Sequence, residues 1–238
     1  MSGHSKWANI KHRKSAQDAK KGKVFTRIAK EITIAAKQGG GEIDSNFKLR
    51  TLVDKARAVN MPANNIQRSI KRGTGELPGV NYEEQVYEGY GPEGVAVLIA
   101  CLTDNKNRTV SEVRRVFTAN GCNMAEAGSV SWMFETKGVI RITTDGLSED
   151  DLIEQLIDFN IDDVEVDGKE AIITVSPKQL EQVKKVLENT GHKVESSEVE
   201  PMAKTLIDLP ENKQQKVIDF LEKIEELDDV QNVYTNLK

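Results

Sequence analysis

Apolar positions in the first third of the chain recur at three- and four-residue steps. Val24, Phe25, Ile28, Ile32 and Ala35 predict one helix, which the run Gly39-Gly40-Gly41 stops. A second helix is expected from Asp44 or Ser45, with Leu49, Leu52, Val53 and Ala56 inward and Lys48, Lys55 and Arg57 outward. Asn60-Met61-Pro62 breaks it, and Pro62 suits the first turn of a third helix carrying Ile66 and Ile70. Residues 1–23 read as a flexible or partly helical arm, and residues 73–80 as a linker.

Beyond the linker the period becomes alternating. Residues 82–90 and 95–102 predict two strands joined by Gly91-Pro92-Glu93-Gly94. Thr109-Val-Ser-Glu112 has the form of a capping box opening a helix with Val113, Val116 and Phe117 inward, and residues 128–134 read as a strand. Residues 138–143, 148–159, 164–166 with 171–175, 177–189 and 193–199 then run strand, helix, hairpin, helix, strand. This is the β-α-β-β-α-β order of a ferredoxin-like unit, closed by Pro201. A last helix carries Val217, Phe220, Leu221, Ile224 and Leu227, and residues 230–234 form a last strand.

The middle region supplies ββαβ and lacks one covering helix, which the C-terminal segment provides. The expected fold is α+β with three domains: a three-helix domain at 1–79, an α+β domain at 80–137 plus 201–238, and a ferredoxin-like domain at 138–200 inserted into it.

Charge sharpens this division. Residues 1–72 hold 17 Lys/Arg against 5 Asp/Glu, whereas residues 138–200 hold 6 against 16. A basic module on an acidic body points to a polyanion partner, the competing reading being that the basic segment docks on the chain's own acidic parts. The acidic inserted domain gives solubility and, by repulsion, would turn away from nucleic acid and so orient the basic module.

The arm Lys6-Trp7-Ala8-Asn9-Ile10-Lys11-His12-Arg13-Lys14, extended by Lys20, Lys21 and Lys23, offers phosphate-neutralising cations and one indole able to stack on a base. Arg27, Arg50, Arg57, Arg68, Lys71 and Arg72 continue the set along the helices, with Asn60, Asn64 and Asn65 near the Pro62 turn. Three helices are compatible with a helix-turn-helix, although the break at 39–44 exceeds that motif's tight turn, so backbone binding is favoured over base readout.

Other chemistry is weakly supported. Gly89-Tyr-Gly91-Pro-Glu-Gly94 matches G-x-G-x-x-G in letters, but a strand follows where a dinucleotide site needs a helix. His4 and His12 have no Cys or acidic cluster beside them, so no metal site is expected. Cys101 suits a core strand, and Cys122, next to Gly121, reads as partly exposed with no neighbouring base. His192 reads as a surface residue. No nucleophile, base and oxyanion set emerges, so neither catalysis, a cofactor nor a small-molecule substrate is expected. The longest apolar run, residues 95–102, falls well below the roughly 20 residues of a membrane span. The opening residues lack a signal-peptide core, and two cysteines suit a reducing cytoplasm.

The string Gly3-His-Ser-Lys-Trp-Ala-Asn-Ile-Lys-His-Arg-Lys14 resembles the opening of the YebC/PmpR family. The resemblance continues through Asn60-Met-Pro-Ala-Asn-Asn-Ile66, Tyr87-Glu-Gly-Tyr-Gly-Pro92, Leu102-Thr-Asp-Asn-Lys-Asn-Arg-Thr109 and Gly128-Ser-Val-Ser-Trp132. It implies one helical and two α+β domains, and a DNA-binding transcriptional regulator. The related mitochondrial translational activators imply an alternative, binding to ribosomal RNA or the ribosome. Glu42-Ile-Asp-Ser-Asn-Phe47 and Gly121-Cys-Asn-Met-Ala125 depart from the family pattern and bear on loop shape.

Overall fold

The structure is a computed structural model that describes Trp7 and residues 21–79, 81–144 and 146–238. Its first unit is three helices, α1 (Lys21–Gly39), α2 (Phe47–Ala58) and α3 (Ala63–Gly73). Both α2 and α3 pack on α1, burying Leu49, Val53, Ala56, Ile66 and Ile70 against Ile28, Ile32, Ala35 and Ala36. The α1–α3 approach is close: a Cβ on Gly73 would lie 2.4 Å from the Thr33 carbonyl oxygen, so only glycine fits there.

Helix α2 begins one turn-position later than the pattern suggested. Asn46 is the N-cap, its side chain accepting from the Leu49 N–H at 3.0 Å while donating to the carbonyls of Ala35 and Gly40. The helix ends in a paired C-terminal closure: Asn60 N–H donates to Arg57 O and Met61 N–H to Ala56 O, both at 2.9 Å. Asn60 takes a φ of 61°, the left-handed conformation that this closure demands, and Met61 is buried beneath it. Pro62 then caps α3. A four-residue turn therefore joins α2 to α3, which is where the tight helix–helix connection of this unit lies.

The second unit is a sheet in the order β3-β1-β2-β8, with β1 (Glu83–Tyr90), β2 (Ala96–Thr103), β3 (Asn123–Ala125) and β8 (Val230–Thr235), antiparallel throughout. Helices α4 (Lys106–Ala119) and α7 (Glu211–Glu225) cover one face, where Phe117 and Phe220 meet edge to face at 5.0 Å. The third unit orders its strands β5-β6-β4-β7, from β4 (Phe134–Thr143), β5 (Ile161–Asp167), β6 (Glu170–Val175) and β7 (Lys193–Ala203). Helices α5 (Glu149–Gln155) and α6 (Leu180–Asn189) bury Leu152, Val183 and Leu187 on Ile140, Ile142 and Ile173. The chain is thus α+β with three domains, the ferredoxin-like one inserted into the middle one, because β8 returns to pair with β2 only after β4–β7 are complete. In lateral order the two sheets are equivalent: α4 links β2 to β3 as α5 links β4 to β5, and α7 precedes β8 as α6 precedes β7.

Four local expectations need correction. Helix α4 starts at Lys106, capped by Asn105, whose side chain accepts from the Arg108 N–H; Thr109 lies inside it, fully buried, because its hydroxyl is claimed by Asp229. Residues 128–133 form a loop and a short 3₁₀ turn (Ser131–Met133) instead of a strand, because the Glu88 carboxylate accepts the N–H groups of Gly128, Val130 and Ser131 that a ladder would have used. Burial pushes the Glu88 carboxyl up, but those three bonds outweigh it and hold it below the usual range. Pro201 does not close the third unit. It pairs with Thr136 within β7, an edge strand that tolerates a residue without an N–H. Cys122 is buried, as is Cys101, whose thiol burial pushes up to about 12.

Candidate nucleic-acid interface

The cations of the helical domain divide into two sets. The first faces inward, across α1. Arg27 donates to Glu225 O at 2.5 Å and Lys23 to Glu226 O, so both cap the C-terminal carbonyls of α7, where a helix leaves acceptors unpaired and its dipole favours positive charge. Lys30, 7 % exposed, reaches Asp228 O at 3.0 Å and the Asp229 carboxylate at 2.8 Å. Asp229 also accepts from Thr103, Thr109 and Arg108. Burial pushes the Asp229 carboxyl up, but the bonds from Lys30, Arg108 and Thr109 prevail and set its pKa at about 2. On α2, Lys55 bonds Glu198 of β7 at 2.7 Å, joining the helical domain to the inserted one.

The second set faces solvent. Arg50, Arg57, Arg68, Lys71 and Arg72 are all exposed. Arg50 donates to Asp44 O at 2.8 Å, and Arg57 lies 3.3 Å from Asp54 on the same helix. Such exposed contacts are worth little and yield readily to a stronger anion. Arg50 and Arg57 stand seven residues apart, hence on one face of α2. Arg68 and Arg72 stand four apart on α3, with Asn64 one turn earlier. The turn Val59-Asn60-Met61-Pro62 connects these two faces, with Asn60, Asn64 and Asn65 exposed beside it.

Of the residues proposed from sequence, Lys23 and Arg27 are therefore committed to holding the domains together. Their contacts span about two hundred residues of chain and have no local signature. Trp7 is also corrected. Its indole is 2 % exposed in the core of the middle domain, among residues such as Val97, Phe220 and Val233, and its N–H donates to Val233 O at 3.2 Å. An indole enclosed this way cannot stack on a base. Lys6, Lys11, His12, Arg13, Lys14 and Lys20, with the side chain of Lys21, lie outside the described residues.

One residue of this surface was overlooked. Phe47, 60 % exposed in the first turn of α2, immediately precedes Lys48 and stands one turn before Arg50. The signal was available: Phe47 falls off the stripe of Leu49, Val53 and Ala56. A second basic patch, Arg114 and Arg115, flanks a shallow depression on α4 with Ser111 and Thr118. Among the described residues no cluster of three or more His, Cys, Asp or Glu could hold a metal ion, and no helix is long and apolar enough to cross a membrane.

A basic helical domain held on two α+β domains, its outer helices joined by a tight turn, defines the class of protein. Residues 5–76 match the N-terminal domain of TACO1/YebC proteins, and residues 82–237 match the TACO1/YebC second and third domain. The chain belongs to the TACO1/YebC family. A relative from Thermotoga maritima is 51% identical over 240 residues, covering 100% of this chain and 94% of its own. Another from Dictyoglomus turgidum is 48% identical over 237 residues, covering 99% and 95%. Both bear the name "Probable transcriptional regulatory protein". A crystal structure of a conserved hypothetical protein from Aquifex aeolicus superposes with a TM-score of 0.83 at 42% identity, covering 93% of this chain and 91% of that one.

Proposed function

We propose that the protein is a non-enzymatic, cytoplasmic, nucleic-acid-binding regulator of gene expression, and specifically a DNA-binding transcriptional regulator. The observation that carries this reading is the outward set Arg50, Arg57, Arg68, Lys71 and Arg72, which remains exposed after Lys23, Arg27, Lys30 and Lys55 are spent on the chain's own domains. Domain docking therefore accounts for part of the basic charge and leaves a remainder pointing at solvent. The names of the relatives support a regulatory role.

In this reading the guanidinium groups neutralise phosphates and release counterions, which supplies affinity, while the exposed amides of Asn60, Asn64 and Asn65 are the groups able to bond base edges. Crosslinking in cells followed by sequencing of both DNA and RNA tests it. Enrichment of promoter DNA is the expected result. A signal concentrated in ribosomal RNA would replace the transcriptional reading with that of a ribosome-bound translational activator.

A further inference from the structure

In the middle domain, two aromatic side chains are held on one backbone atom. The Trp132 indole N–H donates to Ser129 O at 3.0 Å, and the Tyr90 hydroxyl donates to the same oxygen at 3.2 Å. A carbonyl oxygen has two lone pairs, so it can accept both bonds. The rings nevertheless remain open to solvent, Trp132 at 65 % and Tyr90 at 41 %. Beneath them the loop is fixed, since Glu88 holds the N–H groups of Gly128, Val130 and Ser131 at 2.7–2.9 Å. The Lys204 ammonium donates to the backbone carbonyl of Trp132 at 2.8 Å, placing a cation beside the loop that carries the indole.

Two exposed aromatics, Tyr90 at the end of β1 and Trp132 on the braced loop, lose little side-chain freedom when they bind, which is what a recognition surface requires. We infer that Tyr90 and Trp132 form a stacking shelf for an unpaired nucleobase, with Lys204 facing the adjoining phosphate. The choice of ligand follows from the hydrogen bonds. A proline-rich peptide, the other ligand of aromatic pairs, leaves its backbone carbonyls unsatisfied and looks to the receptor for donors. Here the indole N–H and the phenolic O–H are both spent on Ser129 O, so what the pair offers is its π faces. A base presents a π face whatever its identity and needs no donor from the ring it stacks on. The inference extends the nucleic-acid reading to a second surface, and rests on that reading for the choice of a phosphate-bearing ligand.

The test uses the full chain, a short homouridine RNA, a homothymidine DNA of equal length, a duplex, and a proline-rich peptide. Because Trp7 is buried, the fluorescence lost on Trp132→Phe reports Trp132 alone. Either single strand should quench that signal, and Trp132→Ala or Tyr90→Ala should weaken single-strand binding about tenfold. Trp132→Phe, which keeps a π face, should bind nearly as wild type. Substituting Arg57, Arg68 and Arg72 together should weaken the duplex while the quenching by single strands persists, so loss of the helical interface and loss of the shelf are told apart. Unchanged fluorescence with both single strands would overturn the inference, as would quenching by the peptide alone, or equal weakening of the duplex by Trp132→Ala.

Discussion

The Lys30 ammonium of α1 lies 2.8 Å from the carboxylate of Asp229, which immediately precedes β8, and both side chains are sealed from solvent at 8% and 3% exposure. Arg108 approaches the other carboxylate oxygen at 2.7 Å. This cluster joins the helical domain to the middle domain, and it sets the direction of the outward cations by spending the inward ones.

Replacing Asp229 by Ala leaves the Lys30 ammonium buried without its counter-charge and the Thr109 hydroxyl without that acceptor. The expected loss is about 3–5 kcal/mol of stability, measured by urea denaturation. A loss under about 1 kcal/mol would mean that the cluster is solvated and the pair weak.

Acid should act through the same carboxylate. Its folded pKa is about 2, whereas an unfolded Asp titrates near ~3.9. The folded value is the lower one, so its stabilisation is present above the unfolded value and disappears as pH falls from about 4 to about 2, on the order of 2 kcal/mol. Thermal melts of wild type and Asp229→Asn across that window should converge at the acid end. Parallel curves would assign the acid sensitivity to other carboxylates.

Trp7 separates a core role from a stacking role. Trp7→Ala should cost about 3–5 kcal/mol because it empties a buried site among aromatic and branched side chains. Trp7→Phe, which fills most of that space, should restore stability in part and leave nucleic-acid affinity unchanged. Weaker binding by Trp7→Phe at unaltered melting temperature would return the indole to the interface.

Among the outward cations, Arg68→Ala with Arg72→Ala should flatten the dependence of log affinity on log salt by about 0.9 for each phosphate contact removed on duplex DNA. Stability should change by less than about 0.5 kcal/mol, since both residues are exposed. Fluorescence anisotropy over a salt series measures the slope, and an unchanged slope would remove α3 from the interface.

The parts of the fold legible in the sequence are those governed by neighbouring residues. The 3.6-residue rhythm of Ile28, Ile32 and Ala35, the alternation through β4–β7 and the hairpin of residues 164–166 with 171–175 each follow from local sterics and one-sided burial. Even there, a local rule failed where a distant group competed. Thr109 resembled a cap until Asp229 claimed its hydroxyl, and residues 128–133 resembled a strand until Glu88 took their N–H groups.

The candidate interface was legible as a quantity of charge and illegible as a geometry. Sequence counted the cations but could not divide them, because whether Arg27 meets a phosphate or the end of α7 depends on a contact across 198 positions. The same holds for Trp7, whose partner Val233 lies 226 residues away.

By itself, then, the sequence determined most of the helices and strands, though not the loop at 128–133, that a basic helical domain precedes two acidic α+β domains, and the family resemblance carried by its motifs. Tertiary structure alone decided which cations remain outside, that Trp7 is core, and that Tyr90 and Trp132 share the Ser129 oxygen. Periodicity and charge are properties of neighbouring residues, whereas burial and hydrogen-bond partnership are decided by side chains the chain brings together only on folding.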